Sequence, residues 1–108
     1  MDKYLTLLGF ASKAGRLSFG MDASCTAIKK KQARLIVTAC DVSEKSRKEI
    51  SFHASKENIT MLTLKNCDIE ALSHAVGKKS GIIAVNDSGF AEVILKEIGL
   101  TGGNANDK

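Results

Sequence analysis

Lys13-Ala-Gly-Arg-Leu-Ser-Phe-Gly-Met-Asp22 is followed by the basic run Lys29-Lys30-Lys31 and then by Leu35-Ile-Val-Thr-Ala-Cys-Asp-Val-Ser43. In physical terms the stretch predicts a short strand, a glycine at a helix start, a helix, and a buried strand ending in a polar loop. A glycine there lets backbone N–H groups come close to an anion, and a helix N-terminus favours negative charge. Phosphate or nucleic acid is therefore the first ligand class it points to.

The alternation continues on both sides. From Asp2 to Ala14, Tyr4, Leu7, Leu8 and Ala11 share one face and Lys3, Thr6 and Lys13 lie opposite, the pattern of an amphipathic helix stopped by Gly15. Arg16 to Phe19 reads as a strand with Leu17 and Phe19 on one side. The helix after it, Met21 to Lys31, is expected to bury Met21, Cys25 and Ile28 and to expose Asp22, Thr26, Lys29 and Lys30. Leu35 to Ala39 has the apolar run of a central strand covered on both faces. Asp41 and Ser43 are candidate caps for a polar, peripheral helix from Glu44 to Ala54.

Ile59 to Leu64 alternates as a third strand, and Asn66 or Asp68 opens a short helix burying Ile69, Leu72 and Val76. After the loop Gly77-Lys-Lys-Ser-Gly81, Ile82 to Val85 forms a second apolar strand. Asp87 or Ser88 then caps a last helix through Ile98, whose apolar positions are Phe90, Val93, Ile94 and Ile98. Helix and strand alternating in one small unit predict a three-layer α/β/α sandwich around a mainly parallel or mixed sheet of about four strands. The expectation is a single domain over residues 1–100 and a disordered, glycine- and asparagine-rich tail at 101–108.

Composition narrows the function. With 108 residues, 44% hydrophobic and 26% charged, the chain is an ordinary globular domain with a core of its own. No apolar run approaches the roughly 20 residues that span a bilayer, and the start lacks the form of a signal peptide, so a cytoplasmic protein without membrane contact is expected. Cys25, Cys40 and Cys67 are odd in number and widely spaced, which reads as reduced, mostly buried thiols. His53 and His74 stand near no cysteine pair, so neither metal nor cofactor is expected.

Charge is unevenly distributed. The net charge is +4, yet residues 1–34 hold seven basic side chains against Asp2 and Asp22, leaving the remainder slightly acidic. Such asymmetry suggests a basic surface for an anionic partner. Lys29 to Lys31 also have a plain reading as solvated complements to the C-terminal end of a helix dipole.

No enzyme signature is present, and no small-molecule substrate is expected. Gly77-Lys78 lacks the upstream glycine and spacing of a P-loop, and neither a dinucleotide fingerprint nor a nucleophile elbow occurs. Cys67 and His74 lie about two turns apart on one short helix, too far for a nucleophile and its base. Recognition by aromatic stacking is also disfavoured. Trp is absent, Tyr4 is the one tyrosine, and the four phenylalanines stand at core-like positions. What remains is a helix N-terminus and loops gripping a shaped RNA.

Three segments in this order, Arg16-Leu-Ser-Phe-Gly-Met-Asp, Leu-Ile-Val-Thr-Ala-Cys-Asp-Val-Ser and His-Ala-Val-Gly-Lys-Lys-Ser-Gly, resemble the kink-turn-binding ribosomal proteins of the seven-Ae and L-thirty type. The likeness runs from about Tyr4 to Ile98 and is greatest to the bacterial YlxQ-type members. It implies that the glycine-led N-terminus of the second helix docks in the widened groove at tandem sheared G·A pairs. By position, Gly20, Met21 and Asp22 would lie against the RNA, with Lys13, Arg16 and Lys29 on phosphates and Lys78, Lys79, Ser80, Gly81 and Ile82 covering a flipped-out nucleotide. The partner implied is a structured RNA with a kink-turn, ribosomal RNA included, bound by a monomer through shape readout.

Ribosomal members carry an asparagine and a glutamate after the helix-start glycine and a lysine three residues later. Here those positions are Asp22, Ala23 and Thr26. The differences bear on affinity and RNA target more than on the fold. A protein-interaction module with weak or lost RNA binding is the alternative on the same fold.

Overall fold

A computed structural model describes residues 2–101, with Leu100 and Thr101 in backbone only. The element order is α1 (Lys3–Lys13), β1 (Leu17–Phe19), α2 (Gly20–Lys29), β2 (Leu35–Thr38), α3 (Glu44–Lys56), β3 (Thr60–Thr63), α4 (Ile69–Val76), β4 (Ile82–Val85) and α5 (Ser88–Thr101). The strands form one sheet in the order β1-β4-β2-β3. β1 and β2 each pair antiparallel with β4, while β2 and β3 run parallel because α3 carries the chain back across the sheet. The expected three-layer sandwich is the observed one, and its sheet is mixed.

The two apolar runs are the central strands, every residue of β2 and β4 being buried. On one face Tyr4, Leu8, Leu72, Ile94 and Ile98 from α1, α4 and α5 cover Leu35, Val37, Ile83 and Val85. On the other, Ala27, Ile28, Ile50 and Ala54 from α2 and α3 cover Ile36 and Ala84. Alternate residues of each central strand thus feed two separate cores, as the two-residue period of a strand requires.

Several element ends differ from the sequence expectation, each for a local reason. α2 stops at Lys29 rather than Lys31, because Lys31 turns into a left-handed conformation at φ 61°. α3 runs on to Lys56, and Asn58 makes the corresponding turn at φ 59°. α5 passes Ile98 and Gly99 to Thr101, where the tail was expected to begin; residues 102–108 lie outside the described residues. Ser43 caps α3 by accepting from the Ser46 N–H at 3.2 Å, but Asp41 does not share that role. Its Oδ1 instead accepts from the Ile69 N–H at 2.8 Å and tethers the start of α4, whose own cap is Asp68. Asp87 caps α5 by accepting from the Phe90 N–H.

Burial also corrects the sequence reading at six side chains. Val93 faces solvent on α5, its place in the core taken by Ala91. Cys40 is exposed, so only Cys67 is a fully buried thiol and Cys25 is half-buried. Phe10 and Phe52 are 54% and 61% exposed, against the expectation of core positions. Met21 and Cys25 are half-buried, because Ser24, Ala27 and Ile28 form the inward face of α2.

Arg47 ties the β3 edge to the loops above it. Its guanidinium donates to Thr38 Oγ1 and Thr63 Oγ1 at 3.3 and 3.0 Å and to the Cys40 and Val42 carbonyls at 3.1 Å each. A planar fork of donors suits this task where a lysine would not. The clamp fixes the loop after β2, which borders the region described next.

Candidate nucleic-acid interface

Strand register brings four chain segments to one end of the sheet. Phe19, the last residue of β1, pairs with Ile83, and Thr38 pairs with Ile82 and Thr63. The Ala39 N–H donates to the Gly81 carbonyl at 2.9 Å. The start of α2, the loop after β2, the start of α4 and the entry to β4 therefore meet. They enclose an open cavity of about 250 Å³ lined by Gly20, Met21, Ser80, Gly81 and Ile82, together with Val42, Ser43, Ser46 and Ile69. Five of the residues expected from sequence thus come together, from segments about 60 positions apart.

Gly20 is built for its place. Its φ of 89° is one that a side-chain-bearing residue adopts only under strain, while a Cβ there would meet nothing within 4 Å. The requirement is one of backbone conformation and not of space. The N-cap of α2 is Phe19, whose side chain makes no capping hydrogen bond. The amides of the first turn are thus left without the side-chain oxygen that Ser43, Asp68 and Asp87 supply to α3, α4 and α5. At Gly81 the constraint is steric, since a Cβ would lie 2.9 Å from both Val42 Cγ2 and Ile69 Cγ1.

The loop before β4 divides by role. The buried Ser80 hydroxyl donates to the Ile82 carbonyl at 2.7 Å, and its N–H donates to Ser73 Oγ at 2.9 Å. Ser80 therefore pins the loop to α4. Lys78 and Lys79, the two residues just before that pin, are exposed. The Lys78 ammonium lies over the Phe19 ring, 5.2 Å from its centroid, so the loop touches the residue that precedes Gly20. Lys79 borders a neighbouring depression with Asp41, Ile69, Glu70 and Ser73.

The remaining candidates lie elsewhere. Asp22, Thr26 and Lys29 are exposed and follow one stripe down α2, being four and three residues apart. Lys29 closes the helix about 13 Å from Gly20 along its axis. Lys13 ends α1, where the Ser12 hydroxyl donates to the Val76 carbonyl just before the Gly77–Gly81 loop. Arg16 stands at the other end of β1, about 13 Å from Gly20 by strand rise. There its Nε lies 3.8 Å from Asp87 Oδ2, in a largely exposed pair.

Cys25 sits on α2 with its thiol directed at the Met21 sulfur, 3.7 Å away. Burial, supported by the nearby Glu49 carboxylate, pushes this thiol above its ordinary pKa, so it remains a neutral packing group. Among the described residues no group of three or more His, Cys, Asp or Glu side chains is arranged to hold a metal ion. No helix among them is long and apolar enough to cross a membrane.

Sequence reasoning missed Phe19 as a partner of Lys78, and missed Val42, Ser43, Ser46 and Ile69 as walls of the cavity. The strand pattern around Phe19 was readable, but which lysine it meets depends on the antiparallel register of β1 with β4. It also missed the exposure of Phe52. The spacing Lys48, Phe52, Lys56 at every fourth position, on a helix whose core residues are Ile50 and Ala54, carried that signal.

Comparison with known proteins adds to this geometry. A model of the ribosomal protein L7Ae/L30e/S12e/Gadd45 family matches residues 2–95. The chain is similar to the RNA-binding protein YlxQ of Enterococcus faecium, with 28% identity over 91 residues that cover 83% of this chain and 85% of that protein. A solved structure from Bacillus halodurans C, of a protein with unknown function, superposes with a TM-score of 0.87 at 25% identity, covering 92% of this chain and 99% of the other. The fold is also that of the Giardia lamblia 15.5kD RNA binding protein, with a TM-score of 0.71 at 12% identity over 91% of this chain and 83% of that one.

Proposed function

Because the chain belongs to the ribosomal protein L7Ae/L30e/S12e/Gadd45 family, we propose that it is an RNA-binding protein that recognises kink-turn RNA in the cytoplasm. The observation that carries this reading is the start of α2. An uncapped, glycine-led helix N-terminus faces the Gly81–Ile82 entry to β4 across a shared cavity, with two exposed lysines beside it. Backbone amides and a helix dipole attract a phosphate oxygen or the acceptor edge of a base and require no particular sequence. The similarity to YlxQ, a protein named for RNA binding, supports the same partner class.

The mechanism is shape readout. The first turn of α2 enters the groove opened by sheared G·A pairs, and Lys78 and Lys79 neutralise the backbone that crowds together at the bend. Asp22 accepts from guanine amino groups and donates nothing, which favours a groove edge rich in donors over a phosphate. The protein stabilises a bent RNA that otherwise exchanges with an open form, so its effect is a shift of population. Among RNAs of this kind, those of the ribosome and the translation machinery are the natural candidates.

Amide chemical shifts of the full chain, followed during titration with a kink-turn RNA, test this placement. The largest changes are expected at Gly20, Met21, Asp22, Lys79 and Gly81. Changes confined to the β1 end near Arg16 and Asp87 would overturn it.

A further inference from the structure

A second surface lies on the far side of α3, along the β3 edge of the sheet. Lys48, Phe52 and Lys56 are spaced four residues apart and form one row, with Arg47, Ser51 and Ser55 as the row beside it. Together with Met61 of β3 they line an open groove of about 510 Å³. Phe52 is 61% exposed, the His53 ring meets it edge-on at 5.5 Å, and the Lys56 ammonium stands 5.6 Å from its centroid.

No carboxylate lines this groove. Glu44 begins the same row and pairs with Lys48 at 3.8 Å, but both side chains are about four-fifths exposed and such a pair holds little energy. Arg47 lends its charge while its guanidinium stays engaged with Thr38, Thr63 and the Cys40 and Val42 carbonyls. The groove thus offers a flat apolar ring, an ammonium on the turn before it held only by the exposed Glu44, another on the turn after it resting on the ring, and two hydroxyls. The ligand that matches all of them has a planar apolar face and flanking negative charge, which is a nucleotide in a single strand.

We propose that the Lys48–Phe52–Lys56 row is a second RNA site that holds an unpaired strand by stacking a base on Phe52 and pairing its phosphates with the two lysines. The proposal takes its class of partner from the RNA-binding reading above. The two sites share α3, since Ser43 and Ser46 at its start line the first cavity. Phe52 lies six residues beyond Ser46, about 9 Å along the helix. At about 100° per residue it also lies about 120° around the helix from Ser46, so a strand leaving the first site reaches Phe52 only by wrapping across α3.

The test uses the full chain and two probes, a fluorescein-labelled hexauridylate and a kink-turn RNA with no single-stranded tail. Hexauridylate should bind with salt-sensitive affinity, Phe52→Leu should weaken it about fivefold or more, and Phe52→Trp should restore it. The tailless RNA should bind Phe52→Leu as it binds the parent. Failure of hexauridylate to bind, or equal binding to parent and Phe52→Leu, overturns the proposal. So does self-association in sedimentation that Phe52→Leu abolishes, because a second copy of the chain would then own this face. Loss of kink-turn binding with hexauridylate binding intact would instead count against the first site alone.

Discussion

The Lys78 ammonium stands 5.2 Å from the centroid of the Phe19 ring, which joins the loop before β4 to the residue that leads into α2. The contact holds a cation beside the uncapped first turn of that helix. It is a modest attraction, of order 0.5–1 kcal/mol at a partly exposed site. Its value lies in placing the lysine.

Phe19→Leu keeps an apolar residue at the end of β1 and removes the ring face. We expect it to lower stability by about 1 kcal/mol, and we expect Lys78→Leu to weaken kink-turn RNA binding less in the Phe19→Leu background than in the parent. A double-mutant cycle on RNA affinity reads the coupling directly. Additive effects of the two substitutions would separate the contact from binding.

Gly20→Ala places a side chain where φ is 89°. The strain is expected to cost about 1–2 kcal/mol in urea or thermal unfolding. The relaxed turn would also tilt the first amides of α2 away from their ligand, so RNA affinity should fall beyond what the lost stability explains. Because a Cβ meets no atom within 4 Å, a steric cause is excluded in advance. Gly99→Ala, on the helical backbone of α5, serves as a comparison that leaves RNA binding unchanged.

Much of this is legible in the sequence. The apolar runs Leu35–Ala39 and Ile82–Val85 announced two central strands, and the glycine before Met21 announced the helix start on which the site turns. Sequence could not show that β1 runs antiparallel to β4, and this register decides that Gly20 meets Gly81 while Arg16 goes to the opposite end. Caps were readable as residue types but not as assignments. Asp41 looked like a cap for the helix that follows it and instead holds the start of α4, 28 positions on. Exposure of Phe52 was legible from its place in a row with Lys48 and Lys56, and is overlooked only when an aromatic residue is counted as apolar wherever it falls.

The separation of Arg16 from the cavity has its own consequence. Lys79→Ala is expected to weaken kink-turn RNA binding and to reduce the slope of log affinity against log salt by about one. Arg16→Ala should leave that slope nearly unchanged, since this side chain lies beside Asp87 at the far end of β1. Salt titrations of the two variants side by side decide it, and an equal loss of slope would place Arg16 on the RNA.

Alkaline pH should destabilise the fold through two buried groups. Burial raises the Cys67 thiol from 9.0 to about 11, with Asp68 adding to the effect, and burial together with Asp2 raises the Tyr4 hydroxyl from 10.0 to about 12. Both are acids that lose their protons more easily when unfolded, so their neutral forms carry full stability below about pH 9. From there the unfolded chain binds fewer protons than the folded one, and stability falls as pH rises toward 11 and 12. The Cys67 step amounts to roughly 2 kcal/mol. Urea unfolding from pH 8 to 11 should show the decline, and Cys67→Ala should flatten its lower part.

The central claim is that the α2 start and the Gly77–Gly81 loop recognise the shape of a kinked RNA. The most direct measurement is the affinity of the chain for a kink-turn RNA and for a copy whose tandem G·A pairs are replaced by Watson–Crick pairs, at two salt concentrations. The account predicts tighter binding of the intact RNA at both, with log affinity of each falling nearly linearly in log salt. Equal affinity for the two RNAs would contradict it.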